Sequence, residues 1–284
     1  MRYKDGKIEQ ITHNTLGDMH ATPNSDGSVI VWDRFSRENA NDPEGRWQVI
    51  LWKDGKESVL TENTGNCLNP TLSSNGQVAA WVNDLTGNYA QSVAQYYTVK
   101  DGQTHDLSYP QEYAYPPSIS ADGSRIFFRL DNSDGAEIWM KDQDDQVKPV
   151  TDSPNVPESS VVTTADGKTV FYSVPGPEGD DNLYRLDTEP WKLSTVSDDP
   201  KSDETWCSTS SDGGKVAWTN FERSGQDVDI QIMLREGDKT VPVTQGDSLH
   251  SFPHMSADGN ALVYMDINPA DTNDVAICLW RREG

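Results

Sequence analysis

Six segments of this chain share one pattern of polar and apolar positions. Each begins with a polar turn ending in Asp-Gly, or once in Asn-Gly, and continues into a short apolar strand. The fifth residue after each glycine is aromatic, and the residue before that aromatic is apolar. Asp-Gly and Asn-Gly supply the positive φ that a tight hairpin requires, and two successive apolar positions predict a strand buried on both faces. The turn glycines are Gly27, Gly76, Gly123, Gly167, Gly213 and Gly259, and the aromatic residues are Trp32, Trp81, Phe128, Tyr172, Trp218 and Tyr264.

The spacing of these turns predicts the fold. Successive turn glycines lie 44 to 49 residues apart, and each interval has room for four short strands. This period and strand count are typical of β-propeller blades. The sequence therefore predicts an all-β fold, a six-bladed β-propeller with four antiparallel strands per blade, as a single domain over residues 1–284.

The two chain ends suggest how the ring closes. The C-terminal blade has a third strand at residues 276–280 but no fourth, whereas residues 7–12 have the pattern of a fourth strand. We expect the N-terminal strand 7–12 to complete the C-terminal blade, which removes an open sheet edge. Residues 1–6 are surplus to this count, so we expect them to fray or lie over the edge.

The repeated motif resembles a known class. Ser-x-Asp-Gly followed by apolar and aromatic positions, with Pro253 ahead of one copy, resembles the TolB-like (WD40-like) β-propeller repeat. The six copies cover nearly the whole chain, and the resemblance concerns the propeller domain only. It implies a scaffold that binds a protein or peptide partner. Some carbohydrate lyases also resemble this repeat, so the resemblance leaves a metal-dependent enzyme as an alternative, because a fold does not determine a function.

The composition of the chain restricts the classes of partner that it can bind. The formal net charge is −23, which argues against nucleic acid and anionic membrane surfaces because phosphate contacts need clustered Lys and Arg. No segment approaches the ~18 consecutive apolar residues of a membrane span. No signal peptide precedes the repeats, so we expect a cytoplasmic protein if the chain is complete as written, and an exported or periplasmic one if a signal was removed. The spacing of Cys67, Cys207 and Cys278 matches neither a disulfide framework nor a metal site. We also expect the protein to be a monomer.

Acidic residues recur in the connection between the second and third strands of successive blades. Because these connections open on one face of a propeller, they predict an acidic face that recruits a cationic partner or divalent cations. The alternative is that these connections are acidic only because the whole chain is. The residues are Asp131, Asp134 and Glu137, then Glu178, Asp180 and Asp181, then Glu222, Asp227 and Asp229, and finally Asp266, Asp271 and Asp274.

The candidate site lies at the predicted channel mouth, near the ninth residue before each turn glycine. Carboxylate and imidazole groups there predict a Ca²⁺ or Mn²⁺ site, and aromatic and polar neighbours predict contacts with a sugar or other planar ligand. The alternative is a set of solvated channel residues. The candidate metal ligands are Asp18, Glu158, Glu204 and His250, and the candidate ligand-binding residues are His20, Asn69, Tyr115, Trp206 and His254.

Three functions follow from this pattern. The first is a non-catalytic scaffold that binds a protein or another ligand through its acidic channel-mouth face. The second is a metal-dependent carbohydrate lyase or hydrolase, and the third is a lactonase or phosphatase with Ca²⁺ in the channel. The sequence contains no phosphate loop, nucleophile elbow or paired histidines, so no catalytic residue is assigned. Bound metal distinguishes the functions, since only the two enzymes require it.

Overall fold

The computed structural model describes residues 1–4, 6–37, 45–61, 65–88, 90–111, 115–132, 135–152, 161–176, 179–224 and 227–282. Across these ranges the regular structure is all β, and no helix is long and apolar enough to cross a bilayer. Backbone contacts divide the chain into two compact units, Met1–Ser133 with Trp139–Pro149 and Asp134–Ile138 with Val150–Gly284. The two units are described in turn.

The first unit begins with a small hairpin, in which β1 (Arg2–Lys4) pairs with β2 (Lys7–Glu9). Three four-stranded antiparallel sheets follow in chain order. Blade one contains β3 (Gly17–Pro23), β4 (Val29–Ser36), β5 (Arg46–Lys53) and β6 (Lys56–Val59). Blade two contains β7 (Asn66–Leu72), β8 (Val78–Asp84), β9 (Ser92–Thr98) and β10 (Gln103–Asp106). Blade three contains β11 (Ser118–Ile119), β12 (Ile126–Asn132), β13 (Gly135–Lys141) and β14 (Val147–Pro149).

The second unit contains the remaining blades. Blade four contains β15 (Val161–Thr163), β16 (Thr169–Pro175), β17 (Asp181–Thr188) and β18 (Trp191–Ser197). Blade five contains β19 (Ser202–Thr209), β20 (Lys215–Ser224), β21 (Asp227–Glu236) and β22 (Lys239–Pro242). Blade six has three described strands, β23 (Leu249–Met255), β24 (Ala261–Ile267) and β25 (Val275–Arg281). The predicted all-β fold with six blades is confirmed.

The predicted ring closure is not confirmed. Strand β2 covers only the first part of residues 7–12, and its observed partner is β1. Residues 1–6 were expected to fray or to lie over the sheet edge, and residues 2–4 of this segment form the strand β1. The pairing of residues 7–12 with the C-terminal blade therefore stays a prediction.

The turns that join the first two strands of each blade are built around one Asp or Asn side chain. In blade two, Ser73 Oγ donates a hydrogen bond to Asn75 Oδ1 at 2.8 Å, and the backbone N–H of Gln77 donates to the same oxygen at 2.9 Å. Gly76 has a φ of 69° and donates its N–H to the carbonyl oxygen of Ser73 at 2.9 Å. All six turn glycines have φ between 65° and 75°, so the predicted hairpins are confirmed.

Across the described residues, the second strands together contribute more buried apolar side chains than the strands at any other position in the blades. In blade two, Trp81 belongs to a cluster with Val31 and Val49, whereas Ala80 belongs to a different cluster with Phe128. Adjacent residues of a strand point to opposite faces, so both faces of β8 are buried against neighbouring blades. Each fully buried large apolar side chain contributes roughly 1.5–3 kcal/mol.

Blade six departs from the prediction of two buried faces. Val263 of β24 is 40% exposed, and Ile277 and Leu279 of β25 are 70% and 53% exposed. Val263 pairs with Leu279, and Met265 pairs with Ile277. One face of this sheet is therefore exposed to solvent within the second unit, and the prediction is wrong for this blade.

Candidate functional site

The first strands of four blades contain a bulge at the same repeat position, seven residues before the turn glycine. The strand register shifts there in β3, β7, β19 and β23. The bulge residues are His20, Asn69, Trp206 and Phe252, with φ of 48°, 54°, 45° and 55°. Residues with side chains adopt this left-handed conformation rarely, and it is strained for bulky ones. Three of the four were predicted ligand-binding residues, and Phe252 was missed.

In the first unit, His20 and Asn69 meet at Asp33 of β4. Asp33 Oδ2 accepts a hydrogen bond from the backbone N–H of Asn69 at 2.9 Å and lies 2.8 Å from His20 Nδ1. The Asp33 side chain is fully buried, whereas the His20 side chain is 47% exposed. A carboxylate on Nδ1 favours the tautomer in which Nε2 is the acceptor nitrogen. The structure therefore presents a partly exposed imidazole in an orientation fixed by a buried acid.

Asp18, a predicted metal ligand, is occupied by other contacts. Its carboxylate accepts hydrogen bonds from Arg34 Nε at 2.6 Å, Trp32 Nε1 at 2.8 Å and Asn14 Nδ2 at 3.3 Å. Burial alone would raise the pKa of Asp18, but the hydrogen bonds and charge of Arg34 outweigh it and lower the pKa. Arg34 also pairs with Glu57 at 2.6 Å. This carboxylate is already neutralised by a guanidinium.

Tyr115, also in the first unit, contacts a cation. The guanidinium of Arg129 lies 4.7 Å from the centre of the Tyr115 ring, and Tyr115 is 37% exposed. Stacking of this kind stabilises the ring position by roughly 0.5–1 kcal/mol at an exposed site. One face of the aromatic ring is therefore covered by Arg129.

In the second unit, two exposed aromatic rings lie against each other. The rings of Trp206 and Phe252 have centroids 4.4 Å apart and planes tilted by 32°, and the two residues are 48% and 40% exposed. The Phe252 N–H donates to Thr219 Oγ1 at 3.2 Å, which holds the bulge in place. His254, two residues further along β23, is also exposed. The structure thus brings Trp206 next to Phe252, a neighbour that the sequence did not reveal.

His250, a predicted metal ligand of the second unit, is buried with partners. Its Nδ1 lies 3.0 Å from Gln231 Oε1, its Nε2 lies 3.6 Å from Asp266 Oδ2, and its ring meets Tyr264 edge-on. Gln231 also accepts a hydrogen bond from Thr244 Oγ1 at 2.8 Å. These contacts describe a packed, hydrogen-bonded histidine.

Glu204 occupies the position in blade five that Asp18 occupies in blade one, nine residues before the turn glycine. Asp18 pairs in register with Arg34, whereas Glu204 pairs with Asn220. Glu204 is fully buried, and its Oε1 accepts a hydrogen bond from Ser202 Oγ at 2.9 Å. Burial, followed by the charges of Asp199 and Asp180, outweighs the hydrogen bonds and raises the pKa of Glu204 to about 7.

More acids of the second unit gather near Glu204. The Asp181 N–H donates to Asp203 Oδ1 at 3.3 Å. Burial, and then the charges of Asp203 and Asp180, raise the pKa of Asp181. Asp180 and Asp181 were predicted as acidic connection residues, so part of the predicted acidic set converges here.

The predicted metal set is distributed along the chain. Asp18 lies in the first unit, Glu204 and His250 lie in the second, and Glu158 lies outside the described residues. Across the described ranges, no three His, Cys, Asp or Glu side chains form a group that could hold a metal ion. The four-residue site therefore stays a prediction.

Comparison with known proteins identifies the fold but not the family. No family model matches the sequence, and no curated protein matches it. Solved propellers do match, at low identity. TolB from Acinetobacter baumannii is 18% identical with a TM-score of 0.61, and the match covers 91% of this chain but only 62% of that chain.

Two further structures extend the comparison. The β-propeller domain of the Trilobed protease from Pyrococcus furiosus is 10% identical with a TM-score of 0.72, covering 94% of this chain and 82% of that one. Oligogalacturonate lyase from Vibrio parahaemolyticus is 11% identical with a TM-score of 0.63, and the match covers 96% of this chain and 80% of that chain. At these identities the likeness shows a shared propeller fold, and the resemblance to TolB-like propellers is confirmed at that level.

Proposed function

We propose that this propeller is a non-catalytic scaffold that binds a protein or peptide partner through the exposed bulge residues of its second unit and the acidic surface beside them. The observation that carries the proposal is the exposed aromatic pair Trp206 and Phe252. Both residues have left-handed backbone conformations, which are strained for large side chains. Strain of this kind is concentrated at binding and active sites, and aromatic residues dominate binding energy at protein interfaces.

The negative charge of the protein supports the proposal that its partner is cationic. The net charge is −23, and Asp203, which is partly exposed, lies on the same strand as Trp206. Acidic surfaces attract positively charged partners and increase their association rate. A segment with aromatic and basic side chains matches this combination, since it can stack on the rings and pair with the Asp203 carboxylate. A protein partner is also consistent with the fold that this chain shares with TolB.

Peptide selection tests the proposal with variants that keep the fold. Asn69 already occupies the left-handed bulge position in blade two, so Trp206→Asn and Phe252→Asn are compatible with this backbone. Random peptides displayed on phage are selected on the wild-type protein, and their affinities are measured for the double variant. We expect the peptides to be rich in aromatic and basic residues and to bind the double variant at least ~10-fold more weakly.

Trp191→Asn is the matched control, because Trp191 is 58% exposed on β18, outside the bulge positions. It should bind the selected peptides as tightly as the wild type. Equal affinity for the double variant and the wild type would contradict the proposed surface.

The enzyme alternative has a direct assay. The protein is incubated with oligogalacturonate and MnCl2, and the unsaturated product of a lyase is followed by its ultraviolet absorbance. No product is expected. Turnover above that of a buffer control would overturn the non-catalytic part of the proposal.

A further inference from the structure

Among the described residues of the second unit, three buried side-chain oxygen atoms have no close hydrogen-bond partner. They are Oδ1 of Asp180, Oδ1 of Asn182 and Oε2 of Glu204. The three residues are 7%, 5% and 0% exposed. Asp180 and Asn182 flank the first residue of β17, and Glu204 lies near the start of β19. Buried polar atoms are almost always paired, so three together require an explanation.

The surrounding contacts fix these side chains in place. Ser202 Oγ donates to the other carboxylate oxygen of Glu204 at 2.9 Å, and the Ser197 hydroxyl also interacts with this carboxylate. Ser173 Oγ donates to the Glu204 backbone carbonyl at 2.7 Å. Beside β17, a methyl group added to Gly176 would lie 2.6 Å from Asp180 Oδ1 and 2.3 Å from Asn182 Nδ2. The Asp180 and Asn182 side chains therefore pack against the same stretch of backbone, which only glycine leaves open.

The charges at this position are uncompensated. The starts of β17 and β19 are in contact, since the Asp181 N–H donates to Asp203 Oδ1 at 3.3 Å. Among the described residues, no Lys, Arg or His forms an ion pair with either carboxylate, whereas Arg34 neutralises the equivalent Asp18 in blade one. Burying a carboxylate without a cation is strongly unfavourable.

We propose that Asp180, Asn182 and Glu204 bind a calcium ion at the adjoining starts of β17 and β19. The available atoms are all oxygens, which Ca²⁺ prefers and Zn²⁺ does not. A Lys or Arg of a partner fits less well, because the unpaired atoms have almost no surface that a side chain could reach. Two carboxylates and an amide suffice for Ca²⁺ when carbonyl and water oxygens complete its 6–8 ligands. This site is independent of the proposed partner binding.

Calorimetry with CaCl2 tests the site on the full chain after removal of metals by a chelator. We expect one Ca²⁺ per chain, weaker binding of Mg²⁺, and a rise in Tm of at least ~3 °C at saturating Ca²⁺. Asp180→Asn and Glu204→Gln should each abolish the binding and the rise. Asp198→Asn is the matched control, because it removes the same charge from an exposed position beside this region and should bind Ca²⁺ as the wild type does.

Thermal unfolding of Asp180→Asn and Glu204→Gln distinguishes a role in binding Ca²⁺ from a role in stabilising the fold. In the chelator, Glu204→Gln should have a higher Tm than the wild type, because it removes an uncompensated buried charge. No Ca²⁺ binding by the wild type, or undiminished binding by either variant, would overturn the proposal. If Glu204→Gln does not fold, the wild-type titration and Asp180→Asn still decide the question.

Discussion

Asp18 and Glu204 show how one repeat position acquires two electrostatic roles. Both lie nine residues before a turn glycine and face the second strand. The residue opposite is Arg34 in one blade and Asn220 in the other. The hydrogen bonds and charge of Arg34 lower the pKa of Asp18, whereas burial and neighbouring acids raise that of Glu204. The same repeat position therefore holds one carboxylate paired with an arginine and one that is buried opposite a neutral residue.

The lowered pKa of Asp18 gives a stability effect with a defined sign. Because the folded pKa lies below the unfolded value, its ionised form stabilises the folded state above the unfolded pKa, and this contribution is lost as pH falls through the folded pKa. We expect Asp18→Asn to lower the free energy of unfolding by about 1 kcal/mol at pH 7 and by progressively less towards pH 3. Urea unfolding of both proteins between these values measures the difference. A difference that stays constant with pH would contradict this assignment.

At the scale of elements, the turn of each blade is a local structure with a tertiary contact. In blade three, Asp122 Oδ1 accepts hydrogen bonds from Ser120 Oγ at 2.7 Å and from the Ser124 N–H at 2.9 Å. The turn also contacts blade two, since a Cβ on Gly123 would lie 2.7 Å from Val78 Cγ2. Gly123 therefore serves both the turn and the packing of two blades.

Two glycines allow the cost of backbone strain to be distinguished from the cost of overpacking. Gly123 and Gly55 have nearly the same φ, 75° and 77°, but a Cβ on Gly55 would have no neighbour within 4 Å. We expect Gly55→Ala to destabilise by about 1 kcal/mol through backbone strain alone, and Gly123→Ala to destabilise by roughly 2–4 kcal/mol because overpacking is added. Denaturant unfolding of the two variants provides the comparison. Equal losses would show that the contact with Val78 has no energetic weight.

The sequence predicted these turns and strands because their signals are local. The bulges were not predictable, because their backbone conformation is held by hydrogen bonds to residues far away in the sequence. The Asn69 N–H bonds to Asp33, 36 residues away, and the Phe252 N–H bonds to Thr219, 33 residues away. Of the four bulge residues, Asn69 and His20 are types enriched in the left-handed conformation, whereas Trp206 and Phe252 are not. The pairing of Trp206 with Phe252 has the same tertiary origin.

The candidate site was predictable only in part for a related reason. Glu204 stands out in the sequence as an acid at a repeated position, and Asp180 as an acid in a connection. Their proximity depends on how β17 and β19 pack, which no periodicity reveals. One signal was present, since Asn220 stands where Arg34 stands in blade one, and an acid opposite a neutral residue lacks its cation.

At the scale of the whole molecule, the dominant property is a net charge of −23. Self-repulsion of this size destabilises a folded chain, and salt screens it. We expect Tm to rise when NaCl is increased from about 10 mM to about 150 mM, because the Debye length falls from roughly 30 to 8 Å. Thermal unfolding followed by circular dichroism measures the shift, and KCl should have the same effect. A Tm that falls or stays constant would show that local ion pairs such as Arg34–Asp18 outweigh the net repulsion.

The turn around Asn75 and Gly76 also bears on how the protein ages. Asn-Gly sequences are prone to deamidation, which begins when the glycine nitrogen attacks the asparagine side-chain carbonyl. In this turn the nitrogen of Gly76 donates its hydrogen to Ser73, and the side-chain oxygen of Asn75 is held by Ser73 and Gln77. The folded chain thus opposes the ring closure that an unfolded chain permits. The amount of isoaspartate at position 75 would therefore increase with the time that this turn spends unfolded.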